Sequence, residues 1–346
     1  TIAKENQPIV KDQEKFINEI LFLTAVKPSA DKGFIKNLEK LVVAGDGSTV
    51  ISCAAKNGKP TCDCRRKGIY DCEHLRSYSD KDAQWGWDNL EKDFIFGYRY
   101  WQLVCADNKH DLPIYLNINS ANTHEAYMLI RAIDRFDKQA QLLAPSMQIK
   151  EIALDALFDI HAVYDYLNYK NLRYAIPYAS SPGKCICLGD KDQFFTEKGE
   201  PICPGGLPMK RFGIDRRGKV IYHCPIKRMA RRKGKKIRVA HLHECPLATL
   251  CEPNSKMGPL AYVSEEIDLR IHPKIPRFSQ RYKELSAMRT CCERSNSAKK
   301  YNYKFKQTKV RVMSYAYSQL AFISILEHSK TWASKVLTNF DFDNQD

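Results

Sequence analysis

Three carboxylates and two cysteine clusters are the residues in this 346-residue chain with types and spacing suited to chemistry. Asp46 closes the β-branched run Leu41–Val43 and precedes Gly47, where the backbone is free to turn. Asp155 follows the strand-like Gln148–Leu154 within Ala153–Asp159 (ALDALFD), with Asp159 four residues on. Glu293 sits in the helical, basic stretch Arg289–Lys300 (RTCCERSNSAKK). A carboxylate at the end of a central strand needs a partner, a metal or water. The three are 109 and 138 residues apart, so only the fold can gather them. Gathered, they suit two Mg²⁺ ions, or Mn²⁺, in the arrangement that activates an attacking oxygen and stabilises a leaving one at a phosphodiester. Each also has an ordinary reading: an Asp-Gly turn at 46, helix N-caps at 155 and 159, and a surface pair between Arg289 and Glu293.

The first cysteine cluster, Cys62, Cys64, Cys72 and His74, has the pattern C-x-C-x7-C-x-H. Four soft ligands so close in sequence suit one tetrahedral Zn²⁺. The second is Cys203, Cys224, Cys245 and Cys251, the first three each followed by Pro. A Gly-rich segment with few apolar residues needs such a staple. His223, His241, His243, Cys185 and Cys187 are alternative ligands, and free thiols are the alternative for either cluster. The 13 cysteines are odd in number and no export signal opens the sequence, so reduced thiols and a cytoplasmic location are expected.

The formal net charge of +15 calls for a polyanionic partner, nucleic acid before an acidic membrane. Between Lys210 and Arg238 there are 13 Lys or Arg and one acid, Asp215. Arg216, Arg217, Lys227, Arg228, Arg231 and Arg232 belong to this run and are candidate phosphate contacts. Arg289, Arg294, Lys299, Lys300 and Lys304 form a second basic group around Glu293. Tyr301 and Tyr303 interleave with it, to pack or to stack on bases. The longest apolar stretch, near Val312–Leu326, carries Ser, Tyr and Gln and is too polar and short to span a bilayer.

The elements that must position these residues follow from periodicity. Leu41–Ala55 reads as strand, turn and strand; Asp93–Asp107, Leu112–Ile118, Gln148–Leu154 and Arg173–Tyr178 read as further strands. Helical spacing runs through Glu14–Val26, His124–Leu143, Ile160–Tyr169, residues 275–310 and Val310–Trp332. The order predicts a mixed α/β sheet opening with an antiparallel meander. Domain boundaries are expected as an N-terminal helical segment (1–40), a first part of the core (41–182), a basic cysteine-rich insertion (183–262) and a second part of the core (263–346).

With Asp46, Asp155 and Glu293 in this order, and the basic insertion between the second and third, the chain resembles a DDE-type bacterial insertion-sequence transposase. The resemblance runs from about Leu41 to Trp332. That family often carries a Tyr, Arg, Glu, Lys signature. Arg289, Glu293 and Lys300 match it, while the Tyr position holds Ser286. The resemblance implies a ribonuclease H-like five-stranded mixed sheet flanked by helices. It implies Mg²⁺-dependent cleavage and strand transfer of double-stranded DNA, at transposon ends and target, by a homodimer in a bacterial cytoplasm or nucleoid. A nuclease or resolvase on the same core, and an inactive zinc-stabilised DNA-binding protein of transposase descent, are the alternatives.

Overall fold

The structure is a computed structural model. It describes residues 12–89, 91–106, 109–179, 186–188, 193–196, 199–217, 219–226, 228–232, 235–239, 258–263, 269–270, 273–277 and 279–343. The chain divides into two compact units, one of residues 1–157 and 285–346, the other of residues 158–284.

The first unit opens with α1 (Gln13–Leu21), continued by a π-helical turn (Phe22–Val26) and α2 (Lys27–Asp31). Asp12 caps α1 by accepting from the Lys15 amide. Then come β1 (Leu41–Ile51), the two-residue pair β2 (Lys59–Pro60) and β3 (Arg76–Ser77), β4 (Gln84–Asp88), β5 (Asp93–Cys105), β6 (Pro113–Ser120), α3 (Glu125–Leu143) and β7 (Ile149–Ala153). β1, β4, β5, β6 and β7 form a mixed sheet. β5 is antiparallel to β1, β4 and β6, whereas β7 is parallel to β1. The antiparallel meander and the later parallel strand were legible in the sequence, and so was the adjacency of the first strand to the one preceding Asp155. This is the mixed α/β, ribonuclease H-like arrangement.

One expectation is corrected. Leu41–Ala55 is not strand, turn and strand: β1 runs unbroken through Asp46 and Gly47, which pair with Gln102 and Trp101 of β5. The two glycines serve close approach instead of a turn. A Cβ at Gly45 would overlap the Trp101 ring, and one at Gly47 would come within 2.6 Å of Glu125 Oε2. β4, rich in aromatics, was not anticipated.

Large rings fill the sheet's interior. Tyr98, Tyr100, Trp101, Tyr115, Phe136 and Phe22 are fully buried. Tyr100 packs on Phe305, with ring centroids 5.8 Å apart. Burial of such side chains stabilises by about 1.5–3 kcal/mol each relative to exposure.

The second unit holds α4 (His161–Tyr169), β8 (Arg173–Ala175), β9 (Ile186–Leu188), β10 (Gln193–Phe195), β11 (Lys210–Ile214), β12 (Val220–His223), β13 (Arg228–Arg232), β14 (Lys235–Val239) and β15 (Leu260–Val263). β11, β12 and β15 form an antiparallel sheet over a small core of Phe195, Cys203, Met209, Val220, Tyr222, Ala261 and Val263. The basic run falls on β11, β12 and the β13–β14 ladder, whose backbone pairs Arg228 with Val239 and Arg232 with Lys235. Asp159 belongs to this unit and receives two hydrogen bonds from Arg270 at 2.8 Å.

The chain then forms α5 (Gln280–Met288), α6 (Thr290–Tyr301) and α7 (Met313–Asp343). α6 packs on β1 and β5, and α7 on β6 and α1. Among the described residues no helix is long and apolar enough to cross a membrane.

Gly45→Ala tests the close approach on β1. The fully buried Trp101 ring has no exit, so the substitution is expected to cost about 1–3 kcal/mol, read as a lower urea midpoint at unchanged slope.

Candidate active site

Asp46 and Asp155 are brought together by strand register. The last parallel pair between β1 and β7 is Ala44 with Ala153, and each aspartate stands two residues beyond its alanine. β7 has ended by then, so Asp155 lies where pairing stops, and its Oδ1 accepts from the Leu157 amide at 2.9 Å. Glu293 comes from the first turn of α6, which crosses the same part of the sheet. All three line one cleft of about 430 Å³.

The electrostatics show how tightly the acids are gathered. Burial pushes the Asp46 carboxyl up to about 7, and the Asp155 charge adds to this; the Gly47 amide, Arg289 and Asn296 oppose it. Burial also raises Asp155, with Glu293 adding and the Leu157 amide and Arg289 opposing. Arg289 makes a 2.7 Å ion pair with Glu293. It therefore acts on all three acids.

Behind these acids lies a polar network. Asn296, one helical turn after Glu293, donates from Nδ2 to Asp46 Oδ2 at 2.9 Å. Its Oδ1 accepts from the buried Gln102 Nε2 at 2.8 Å, which fixes the amide's orientation. Lys299 is fully buried and donates to Ser295 Oγ at 2.8 Å and to Glu327 Oε2 of α7 at 2.5 Å. It thus anchors α6 to α7.

Several basic residues read as phosphate contacts have other positions. Lys299 is corrected: it is inside the protein, because its ammonium replaces water with Ser295 and Glu327. Arg294 is held by two 2.6 Å bonds to Asp111. Arg289 faces Glu293. Lys300 lines the cleft, and burial lowers its pKa from the usual lysine range. Lys304 is exposed, as are Arg216 and Arg217 in the turn between β11 and β12. Arg228, Arg231 and Arg232 lie in β13, and Lys227 lies outside the described residues.

Sequence reasoning missed Asn296, Arg99 and Glu125. Glu125 is in the first turn of α3, and its Oε1 accepts from Arg99 Nη1 at 2.9 Å. Burial pushes its carboxyl up to about 7; Arg99 opposes this, and Asp46 and Asp155 add to it. An acid at that position reads in sequence as a partner of the helix dipole. Asn296 had a usable signal, because position i+3 shares a helix face with Glu293.

The first cysteine cluster converges. The ligand atoms of Cys62, Cys64, Cys72 and His74 all lie within 4.8 Å of one another. Cys62 Sγ and Cys72 Sγ are 3.6 Å apart, and Cys64 Sγ and His74 Nδ1 are 3.5 Å apart. Zinc–sulfur bonds of about 2.3 Å and zinc–nitrogen bonds of about 2.0 Å give tetrahedral edges of roughly 3.5–3.8 Å. The donor set therefore fits a single zinc ion. Of the second set, Cys203 and Cys224 are buried in the second unit, while Cys245 and Cys251 lie outside the described residues.

No family model matches the chain, and no curated protein matches it. Similar solved structures include the Mos1 transposase paired-end complex with left transposon end, at 14% identity and a TM-score of 0.22. That likeness covers 49% of this chain and 43% of the other. The Mos1 mariner paired-end complex with Mn is similar at 15% identity and TM-score 0.21, covering 49% and 43%. A pre-cleavage Mos1 transpososome is similar at 12% identity and TM-score 0.21, covering 50% and 48%. The chain spans less than half the length of these neighbours.

Proposed function

We propose that this chain is a DDE-type transposase that cleaves and joins double-stranded DNA, with Asp46, Asp155 and Glu293 as its catalytic acids. The observation that carries this reading is their convergence on one cleft in a chain of net charge +15. A nucleic-acid partner accounts for the charge, and an acidic cleft within a basic protein accounts for divalent cations at the scissile phosphate. The donor set fits Mg²⁺ or Mn²⁺: hard carboxylate oxygens whose mutual repulsion a cation relieves. When bound, such ions supply Lewis acidity and an activated oxygen to an in-line displacement.

The chain's own residues do the positioning. Asn296 holds Asp46 by one oxygen. Arg289 orients Glu293 and tempers the local negative charge. Lys300 meets the DNA phosphate on the cleft's basic side, and Tyr301, which is exposed and also lines the cleft, meets the strand beside it. Arg216 and Arg217, with the β13–β14 ladder, track the DNA backbone. Cys62, Cys64, Cys72 and His74 hold a structural zinc that fastens the loop between β1 and β4. The active species is a homodimer on DNA.

The catalytic reading is tested by Asp46→Ala, Asp155→Ala and Glu293→Ala in paired gel-shift and Mg²⁺-dependent nicking and strand-transfer assays. Each is expected to lose at least about 10³-fold in nicking and joining while DNA affinity stays within about threefold. Wild-type nicking by any of the three removes that residue from the catalytic set. Cleavage without joining by the wild-type chain favours the nuclease reading.

Zinc is tested by elemental analysis. Cys64→Ser is expected to purify with about one zinc fewer per chain and a lower melting temperature. Full zinc content in that variant excludes Cys64 as a ligand.

The raised Asp46 carboxyl predicts a pH effect. A folded pKa near 7 means this group's contribution is fully present below about pH 4 and is lost as pH rises through 7. Without added Mg²⁺ or Mn²⁺, Asp46→Asn is therefore expected to gain on wild type by up to about 4 kcal/mol between pH 4 and pH 8. Equal denaturation midpoints at both pH values contradict the assignment of strain to Asp46.

A further inference from the structure

We infer that the outer face of α7, with the neighbouring face of α1, is the surface on which two copies of this chain pair, and that they pair before DNA is bound. This rests on the homodimer in the proposed function and adds to it the surface used and its independence of DNA.

Two stripes run along α7. One faces inward: Ala316, Tyr317, Leu320 and Ser324 are buried, and Tyr317 Oη donates to the Leu116 carbonyl of β6 at 2.7 Å. The other is Tyr315, Gln319, Phe322, Leu326, Ser329 and Ala333, alternately four and three residues apart. That alternation is the a/d repeat by which one helix packs along another. Yet Tyr315, Phe322 and Leu326 are 50%, 65% and 48% exposed. A helix that is apolar on every side is ordinarily covered on every side. Among the described residues, the second stripe of α7 stays open to solvent.

The chemistry of this stripe identifies its occupant. From Val312 to Ser329 the sequence holds no Lys or Arg and one acid, Glu327, which is turned inward to Lys299. In a chain with 27% charged residues, a face this long without outward charge offers DNA phosphates nothing to bind. It suits another apolar helix. α1 widens the face. Asn18 Nδ2 donates to Tyr317 Oη at 2.7 Å, and α1 and α7 both pack on β6, so their faces away from β6 look the same way. On that side α1 and the π-helical turn after it expose Phe16, Ile20 and Leu23, again four and three residues apart.

The six exposed apolar side chains present roughly 600 Å², against about 800 Å² per partner in a standard stable interface. With the polar atoms around them, that area meets what a dimer needs. A second copy always brings the matching stripe, because across a two-fold axis the same patch meets itself. An axis near Phe322 lets each chain cover the other's exposed rings. Gln319, polar in an otherwise apolar part of the stripe, fixes one register.

The test weighs the full chain without DNA by sedimentation equilibrium over micromolar concentrations. The wild-type chain is expected to sediment as two copies. Phe322→Glu places a carboxylate at the axis and is expected to weaken association by about 100-fold. Leu326→Lys is expected to act alike, so the result does not hang on the folding of one variant; circular dichroism checks that both are folded. Tyr169→Glu, at a still more exposed ring on α4, is expected to stay dimeric. A wild-type monomer at every concentration, or folded Phe322→Glu and Leu326→Lys as dimeric as wild type, overturns the inference. The nicking and joining assays keep the two levels apart. A wild-type monomer that nicks and joins DNA removes this surface and leaves the catalytic reading. A wild-type dimer that Phe322→Glu dissociates, but that neither nicks nor joins DNA, keeps the surface and removes the catalytic reading.

Discussion

Mutual repulsion among carboxylates is the constraint on which the rest of this structure depends. Asp46, Glu125 and Asp155 are all pushed upward, by burial first; the Asp155 charge adds to this at Asp46, those of Asp46 and Asp155 at Glu125 against the opposing Arg99, and that of Glu293 at Asp155. Left alone, such a group would spread apart or take up protons. The fold prevents spreading by rooting the acids in different rigid elements. Asp46 lies inside an eleven-residue strand, Asp155 just past a parallel neighbour, and Glu125 and Glu293 in the first turns of two helices. First turns suit acids, because unpaired amide groups there carry partial positive charge.

The helix carrying Glu293 has little amphipathic pattern of its own and is secured by polar contacts. Lys299 and Glu327 are buried together, and removing one partner of such a pair typically costs about 3–5 kcal/mol, since the other is left charged without water. Ser295, Gln102 and Asn296 continue the connection to Asp46. A network of this kind is stabilising only when fully satisfied, so it specifies one placement of α6 over the sheet. Gly45 answers a steric need instead: the Trp101 ring fills the space where its Cβ would stand.

Much of the sheet was legible because strands in a buried core announce themselves. Asp93–Cys105 and Ile149–Ala153 combine β-branched and aromatic residues, and α3 shows regular three- and four-residue spacing. Asp46 and Asp155 could be paired from strand order alone. Glycine was the first source of error: Gly47 can turn, but it can equally lie extended to admit a neighbour, and sequence does not say which. Charge was the second. Lys299 stands in a run of basic residues and is nevertheless buried, because its partner Glu327 is 28 residues away on another helix. Glu125 was hidden for the same reason. Its significance comes from Gly47, 78 residues earlier, and from Arg99 on β5.

Opposite signs of charge on two length scales then link the site's ligands. The chain as a whole is strongly positive, whereas its cleft is walled by acids. At physiological ionic strength, fields between exposed groups fade over about 8 Å; on the proposed reading, exposed lysines and arginines therefore guide DNA toward the surface without cancelling the local negative charge. A phosphate entering the cleft therefore meets repulsion from nearby carboxylates, only partly offset by Lys300 and Arg289. On the proposed reading a divalent cation turns that repulsion into attraction. The effect is reciprocal by thermodynamic necessity: whatever factor the cation adds to DNA affinity at the cleft, DNA adds to cation affinity. An acidic cleft in a basic protein is thus suited to holding both ligands together more firmly than either alone.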